Sequence, residues 1–114
     1  MLWSNKHRNF GWGSNMEFAG RHALIYEADR SGGRYGWSAS NRFRWSRFCR
    51  YAIPLGIDDA RLINTEVIEG YAVTLSGLSV AVQQNYISSI NVTLRHMSGG
   101  NWKSVSPRAI VGLS

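Results

Sequence analysis

The sequence predicts an all-α protein: a single bundle of four or five helices, with an extended N-terminal arm and a C-terminal linker. Three observations carry this. Apolar residues recur at helical spacing in four successive segments. The joints between those segments are short and carry Ser, Gly, Asn or Pro. No Asn-Gly or Asp-Gly pair sits between alternating apolar runs, so strand and hairpin signals are weak. At 114 residues the chain suits one domain. A composition that is 44% hydrophobic and 12% aromatic is that of a folded protein.

Residues 1–15 mix Asn, Gly, Ser, aromatic and basic residues without a period and are expected to form a basic arm. The helical core is expected over residues 16–100, and residues 101–114 as the start of a linker to a further, absent domain. The first helix starts at Met16 with Asn15 as its cap and ends at Ser31-Gly32-Gly33. Phe18, His22, Ile25 and Tyr26 make its expected buried stripe. A second helix is expected from Ser40, a good N-cap, to about Ile53, where Pro54 and Gly56 stop it. The third runs from about Thr65 to Leu75, with Val67, Ile68, Tyr71 and Leu75 inward and Gly77 after it. Ser79 caps the fourth, Val80 to Met97, closed by Gly99-Gly100. Its expected stripe is Val82, Tyr86, Ile87, Ile90, Leu94 and Met97.

The charge is lopsided. The net charge is +6, and eleven of the 13 cations are Arg. Residues 1–57 hold nine cations against three anions, whereas residues 58–114 hold four of each. A clustered positive field calls for a polyanionic partner. On a helical wheel, Trp45, Phe48, Cys49 and Ala52 of the second helix form the core stripe. Arg42, Arg44, Arg47 and Arg50 cover most of the other side, with Phe43 and Tyr51 among them. There is no acid from Arg30 to Ile57, so the mixed-sign pairs of an ordinary solvated face are missing. Such a face suits phosphate. On the fourth helix, Gln84, Ser88, Asn91 and Arg95 line one side and could bond to base edges. Lys6 and Arg8 of the arm add to the candidate DNA contacts.

Catalytic and cofactor chemistry finds no support. His7, His22 and His96 are not at ligand spacing from one another or from a carboxylate, which leaves a metal site or a small nuclease without a constellation. His22 is expected in the core. Cys49, the lone cysteine, falls on the core stripe as an inert thiol. Gly11-Trp12-Gly13 and Gly32-Gly33 lack the residues of a phosphate loop, and Asp58-Asp59 serve as caps rather than an acid–base pair. No cofactor and no membrane partner are expected.

One ordered set of motifs remains: Arg44-Trp45-Ser46-Arg47-Phe48-Cys49-Arg50-Tyr51-Ala52, then Ile63-Asn64-Thr65-Glu66-Val67 and Gly70-Tyr71-Ala72-Val73-Thr74-Leu75, then Ser79 and Gln84 through Asn91, and finally Trp102 through Arg108 before Val111-Gly112. This order resembles the N-terminal SAM-like, core-binding domain of tyrosine recombinases, the integrases of phages and genomic islands. The opening stretch Arg8 to Gly13, Met16 and Ala19 to Arg21 is similar to the start of that group. The resemblance implies a SAM-like bundle that grips attachment-site duplex DNA with its second and fourth helices. It implies as partners a C-terminal catalytic domain of the same chain and other recombinase protomers on DNA, in the nucleoid of a bacterial cytoplasm. The family's His-x-x-Arg pair is absent, since Arg95-His96-Met97 has the wrong order, so this stretch carries no catalytic residue. The other reading of the same residues is a free-standing basic helical protein that binds RNA or shapes DNA.

Overall fold

A computed structural model describes residues 3–32 and 35–112, with nothing of the side chains of residues 35–37. Among the described residues the chain is an all-α bundle without strands. The helices are α1 (Met16–Arg30), α2 (Tyr35–Ala52), α3 (Thr65–Val73), α4 (Val80–Met97) and a short α5 (Pro107–Val111). Single 3-10 turns lie at Ile53–Leu55 and Ala60–Leu62, and a tight turn at Arg8–Gly11 has Asn9 and Phe10 at positive φ. Helices α1, α2 and α4 form the main body, and α3 and α5 close one side of it. No helix among the described residues is long and apolar enough to cross a membrane. Met1, Leu2, Gly33, Leu113 and Ser114, parts of the expected arm, first stop and linker, lie outside the described residues.

Helix α4 begins and ends where its sequence signals put it. The Ser79 hydroxyl accepts the Val82 N–H, and Gly99 and Gly100, both at positive φ, close the far end. Helix α3 is capped by the Asn64 side chain, which accepts the Val67 N–H. Helix α2 starts about a turn before the expected Ser40. No proline separates Tyr35 from Ser40, and the helix runs on through Ser38 and Ala39. Its far end is as expected: Pro54 lies in the 3-10 turn Ile53–Leu55 and Gly56 takes φ +86°.

The core of α2 is Trp45, Phe48, Cys49 and Ala52, all fully buried as their spacing implies. Burial pushes the Cys49 thiol pKa up, with Glu17 adding to the effect, so it stays protonated and inert. Phe48 packs edge-on against Tyr71 of α3, ring centroids 5.1 Å apart. Helix α1 corrects the expected stripe. Phe18 is 57% exposed, Tyr26 and His22 are exposed, and Ile25 is half-buried. The buried face is Met16, Ala19, Gly20, Ala23, Leu24 and Ala28 instead. The reason lies on α2. The Trp45 indole lies directly against Gly20, where a Cβ would collide with the ring, and its Nε1 donates to the Met16 carbonyl at 3.2 Å. A large ring on one helix needs small side chains on the other, so the small-residue face turns inward and the large apolar side chains are left outside.

The N-terminal segment is not an extended arm. Asn9 is fully buried at φ +53°, a backbone region that Asn tolerates better than most residues. Its N–H donates to Asp59 Oδ1 at 3.0 Å, its Nδ2 donates to the Gly13 carbonyl, and its Oδ1 accepts the Ala60 N–H at 2.7 Å. The Trp12 indole donates to the Met97 carbonyl at the end of α4. Periodicity is blind to such a segment because one side-chain amide does the work of a ladder. Asp59 is also bound by Arg61, Nη2 to Oδ2 at 2.7 Å. Burial alone would raise the Asp59 pKa. The hydrogen bonds from the Arg61 side chain, and from the backbone of Arg61 and Asn9, outweigh burial and hold the carboxyl at about 2.

The expected linker is folded too. Ser106 caps α5 by accepting the Ala109 N–H, and α5 packs on α4 and α3.

Three outcomes follow from these contacts. Gly20→Ala should destabilise the fold by roughly 1–3 kcal/mol through overpacking, and Trp45→Ala by roughly 3–5 kcal/mol through the cavity it leaves, both read as thermal melts. Because the Asp59 pKa is depressed, its contribution is present above the unfolded value near 4 and is lost as pH falls toward 2. Urea melts between those pH values should therefore show a flatter pH dependence for Asp59→Asn than for the wild type.

Candidate nucleic-acid interface

The arginine face of α2 survives folding as one surface. Phe43 stands 65% exposed at its centre, the most exposed aromatic side chain among the described residues. Arg47 and Arg50 are exposed, and Arg42 and Arg44 are half-buried at the two borders. Two shallow grooves flank Phe43. One, of about 310 Å³, is lined by Glu17 and Arg21 of α1 and by Ala39, Arg42, Phe43, Ser46 and Arg50 of α2. The other, of about 490 Å³, is lined by Ala39, Ser40, Phe43 and Arg44 of α2 and by Val82 and Tyr86 of α4.

The arginines are partly organised before any ligand arrives. Arg44 Nη1 donates to Ser89 Oγ on α4 at 3.3 Å, and its guanidinium lies 5.8 Å from the Tyr86 ring centroid. Arg47 lies over the same ring at 5.2 Å. Arg42 Nε donates to the Ser38 carbonyl one turn back. Each exposed cation–π contact is worth only about 0.5–1 kcal/mol. They restrict the rotamers of side chains that otherwise carry about 2 kcal/mol of entropy each.

The fourth-helix strip is a correction. The side of α4 that borders the arginines carries Val82, Tyr86 and Ser89. Val82 is 38% exposed and Tyr86 half-buried, so neither belongs to the fully buried stripe of Ile87, Ile90, Leu94 and Met97. Gln84, Ser88, Asn91 and Arg95 lie about 150° around the wheel from that border. Asn91 is buried and its amide makes three hydrogen bonds. Oδ1 accepts from Trp102 Nε1 and from the Val105 N–H, both at 3.0 Å, and Nδ2 donates to the Val105 carbonyl at 2.8 Å. Gln84 Nε2 donates to the Gly112 carbonyl at 2.7 Å. Both amides hold the C-terminal segment down rather than facing a groove. Ser88 stays exposed. Arg95 lines a different cleft, with Trp3, Tyr26, Glu27, Arg30 and His96.

Lys6 and Arg8 line neither α2 groove. Lys6 is exposed, while Arg8 is committed to Asp58 (2.8 Å) and to the Ser14 and Asp58 carbonyls. Sequence reasoning missed Glu17 and Arg21. The small-residue face of α1 was the signal: once Ala19, Gly20 and Ala23 are inward, residues 17 and 21 flank α2. Among the described residues no cluster of His, Cys, Asp and Glu could hold a metal ion. His22 is exposed rather than in the core, and His96 faces Glu27 at 3.8 Å. What the surface offers chemically is a row of forked donors around an apolar ridge, suited to phosphate oxygens on both sides of α2.

No family model, curated protein or solved structure matches the chain.

The Asn91 geometry gives a direct outcome. Asn91→Ala removes the hydrogen bonds to the half-buried Trp102 and Val105 donors, at about 0.5–1.5 kcal/mol for each bond. It should lower the melting midpoint clearly, read as a thermal melt.

Proposed function

We propose that this domain binds duplex DNA through the arginine face of α2, as the core-binding domain of a site-specific tyrosine recombinase. The observation that carries the DNA part is the pair of grooves around Phe43, with Arg21, Arg42 and Arg50 on one side and Arg44 and Arg47 on the other. Glu17 is the single acid lining either groove, so both keep a net positive charge. The motif order from Arg44 to Val111 supports the recombinase part. In this reading the domain clamps attachment-site DNA for integration or excision of a mobile element, and a catalytic domain and further protomers complete the assembly. The domain itself binds and does no strand chemistry.

The mechanism is electrostatic positioning. Five arginines that neutralise phosphates release the counterions condensed on them, and that release drives association. The planar guanidinium forks bond phosphate oxygens in pairs, which fixes how the helix sits on the duplex. Sequence preference must come from whatever touches base edges between the two phosphate rows.

A salt titration followed by fluorescence anisotropy tests the reading. With five phosphate contacts, log K should fall against log salt with a slope of about −4 to −5. Arg47→Ala or Arg50→Ala should weaken all duplexes alike and reduce that slope by about 1. A flat salt response overturns the reading, and a preference for single-stranded RNA over duplex DNA favours the free-standing alternative.

A further inference from the structure

We infer that Phe43 is a specificity residue: its ring reads the 5-methyl group of thymine in the major groove, which directs the domain to A·T-containing sites. The inference rests on the duplex-DNA reading above and deepens it.

Three features of α2 lead there. The first is placement. On the wheel Phe43 lies opposite Trp45 and Ala52, so it marks the summit of the face that leaves the protein. The second is relief. A helical side chain leans toward the preceding turn, and here that turn carries Ala39 and Ser40, which are too small to cover the ring. Ala39 and Phe43 line both grooves, so together they form the wall between them. The third is charge. Arginine lines each groove, whereas the stretch of the summit formed by Ala39 and Phe43 is apolar, and Arg47 and Arg50 follow it one and two turns further along the same face.

An α-helix fits the major groove, about 12 Å wide, and does not fit the minor groove, about 6 Å wide, without deforming the duplex. With α2 in the major groove, the flanking arginines reach the phosphates on either side and the Phe43 ring reaches the floor. That floor is almost wholly polar. A ring set against a base-edge donor or acceptor strips its water and gives no bond in return, which costs free energy. The one apolar group on the floor is the thymine methyl. The ring therefore favours positions where that methyl lies beneath it.

The test uses two short duplexes of alternating dA and dT, one natural and one with deoxyuridine in place of every thymidine. The two differ only by the methyl. Wild-type domain should bind the thymidine duplex about fourfold more tightly, the factor expected for one methyl removed from a buried contact. Phe43→Ala should bind both duplexes equally, with the wild-type salt slope and an unchanged melting midpoint, because the ring is exposed and uncharged. Equal wild-type affinity for the two duplexes overturns the inference, as does a Phe43→Ala variant that keeps the wild-type ratio. If that equality comes with Phe43-dependent brightening of 2-aminopurine in the duplex, the ring intercalates instead of reading the methyl. Loss of salt-dependent binding to both duplexes overturns the duplex-DNA reading and this inference with it.

Discussion

The seating of the Trp45 indole against Gly20 is the contact on which the rest of the molecule depends. A buried Trp removes on the order of 200 Å² from water, worth roughly 5 kcal/mol at about 25 cal/mol per Å². That gain requires α1 to approach the ring without a side chain in the way, which only a glycine at position 20 permits. The consequence reaches the surface. Turning Gly20, Ala19 and Ala23 inward fixes the rotation of α1, and that rotation sets Glu17 and Arg21 beside Arg42 and Arg50. Trp45 also fixes α2, since a helix with Trp45, Phe48, Cys49 and Ala52 in the core must present Phe43 and the arginines outward. Core packing and the charged face are two sides of one helical phase.

Two asparagines do for the ends of the chain what the indole does for the middle. Asn9 ties the N-terminal segment to Asp59 and Ala60, and Asn91 ties the C-terminal segment to α4. Each side-chain amide satisfies two backbone groups, and each such bond nets about 1 kcal/mol. The Arg8–Asp58 pair beside Asn9 contributes less, since both partners are near half exposed and solvent screens them. The polar interior contacts, not the surface ion pair, therefore order residues 3–15.

What the sequence made legible follows from the kind of signal involved. The bounds of α4 were readable because Ser79 and Gly99-Gly100 are local devices whose geometry needs no partner. The core stripe of α2 was readable because its buried residues are large and its outward ones are charged. The face of α1 was not, because Phe18, Ile25 and Tyr26 carry more hydrophobicity than Ala and Gly, and only the shape of Trp45 decides between them. The arginine half of the candidate site was legible for the same reason as the α2 core. The α4 half was not, because a Gln or Asn suited to a base edge is equally suited to a backbone amide. Which one it meets depends on where residues 102–112 fold, and no periodicity reports that.

The division of labour proposed for α2 has a physical rationale that charge alone lacks. Arginines that bond phosphate hold the helix on any duplex, so they add affinity without discrimination. Had Arg44 and Arg47 been free, much of that affinity would be lost in ordering long side chains. Ser89 and Tyr86 of α4 limit that loss by holding them near one geometry. In the proposed reading α4 serves the interface as a support and leaves base reading to α2. A ring at the summit then acts where the arginines cannot, because it interacts unfavourably with polar base edges and favourably with one apolar group. Discrimination by an apolar contact is modest per base, so a module built this way would locate its site by several weak preferences along a firmly held duplex. Such a module suits a protein that must first bind DNA of any sequence and then settle.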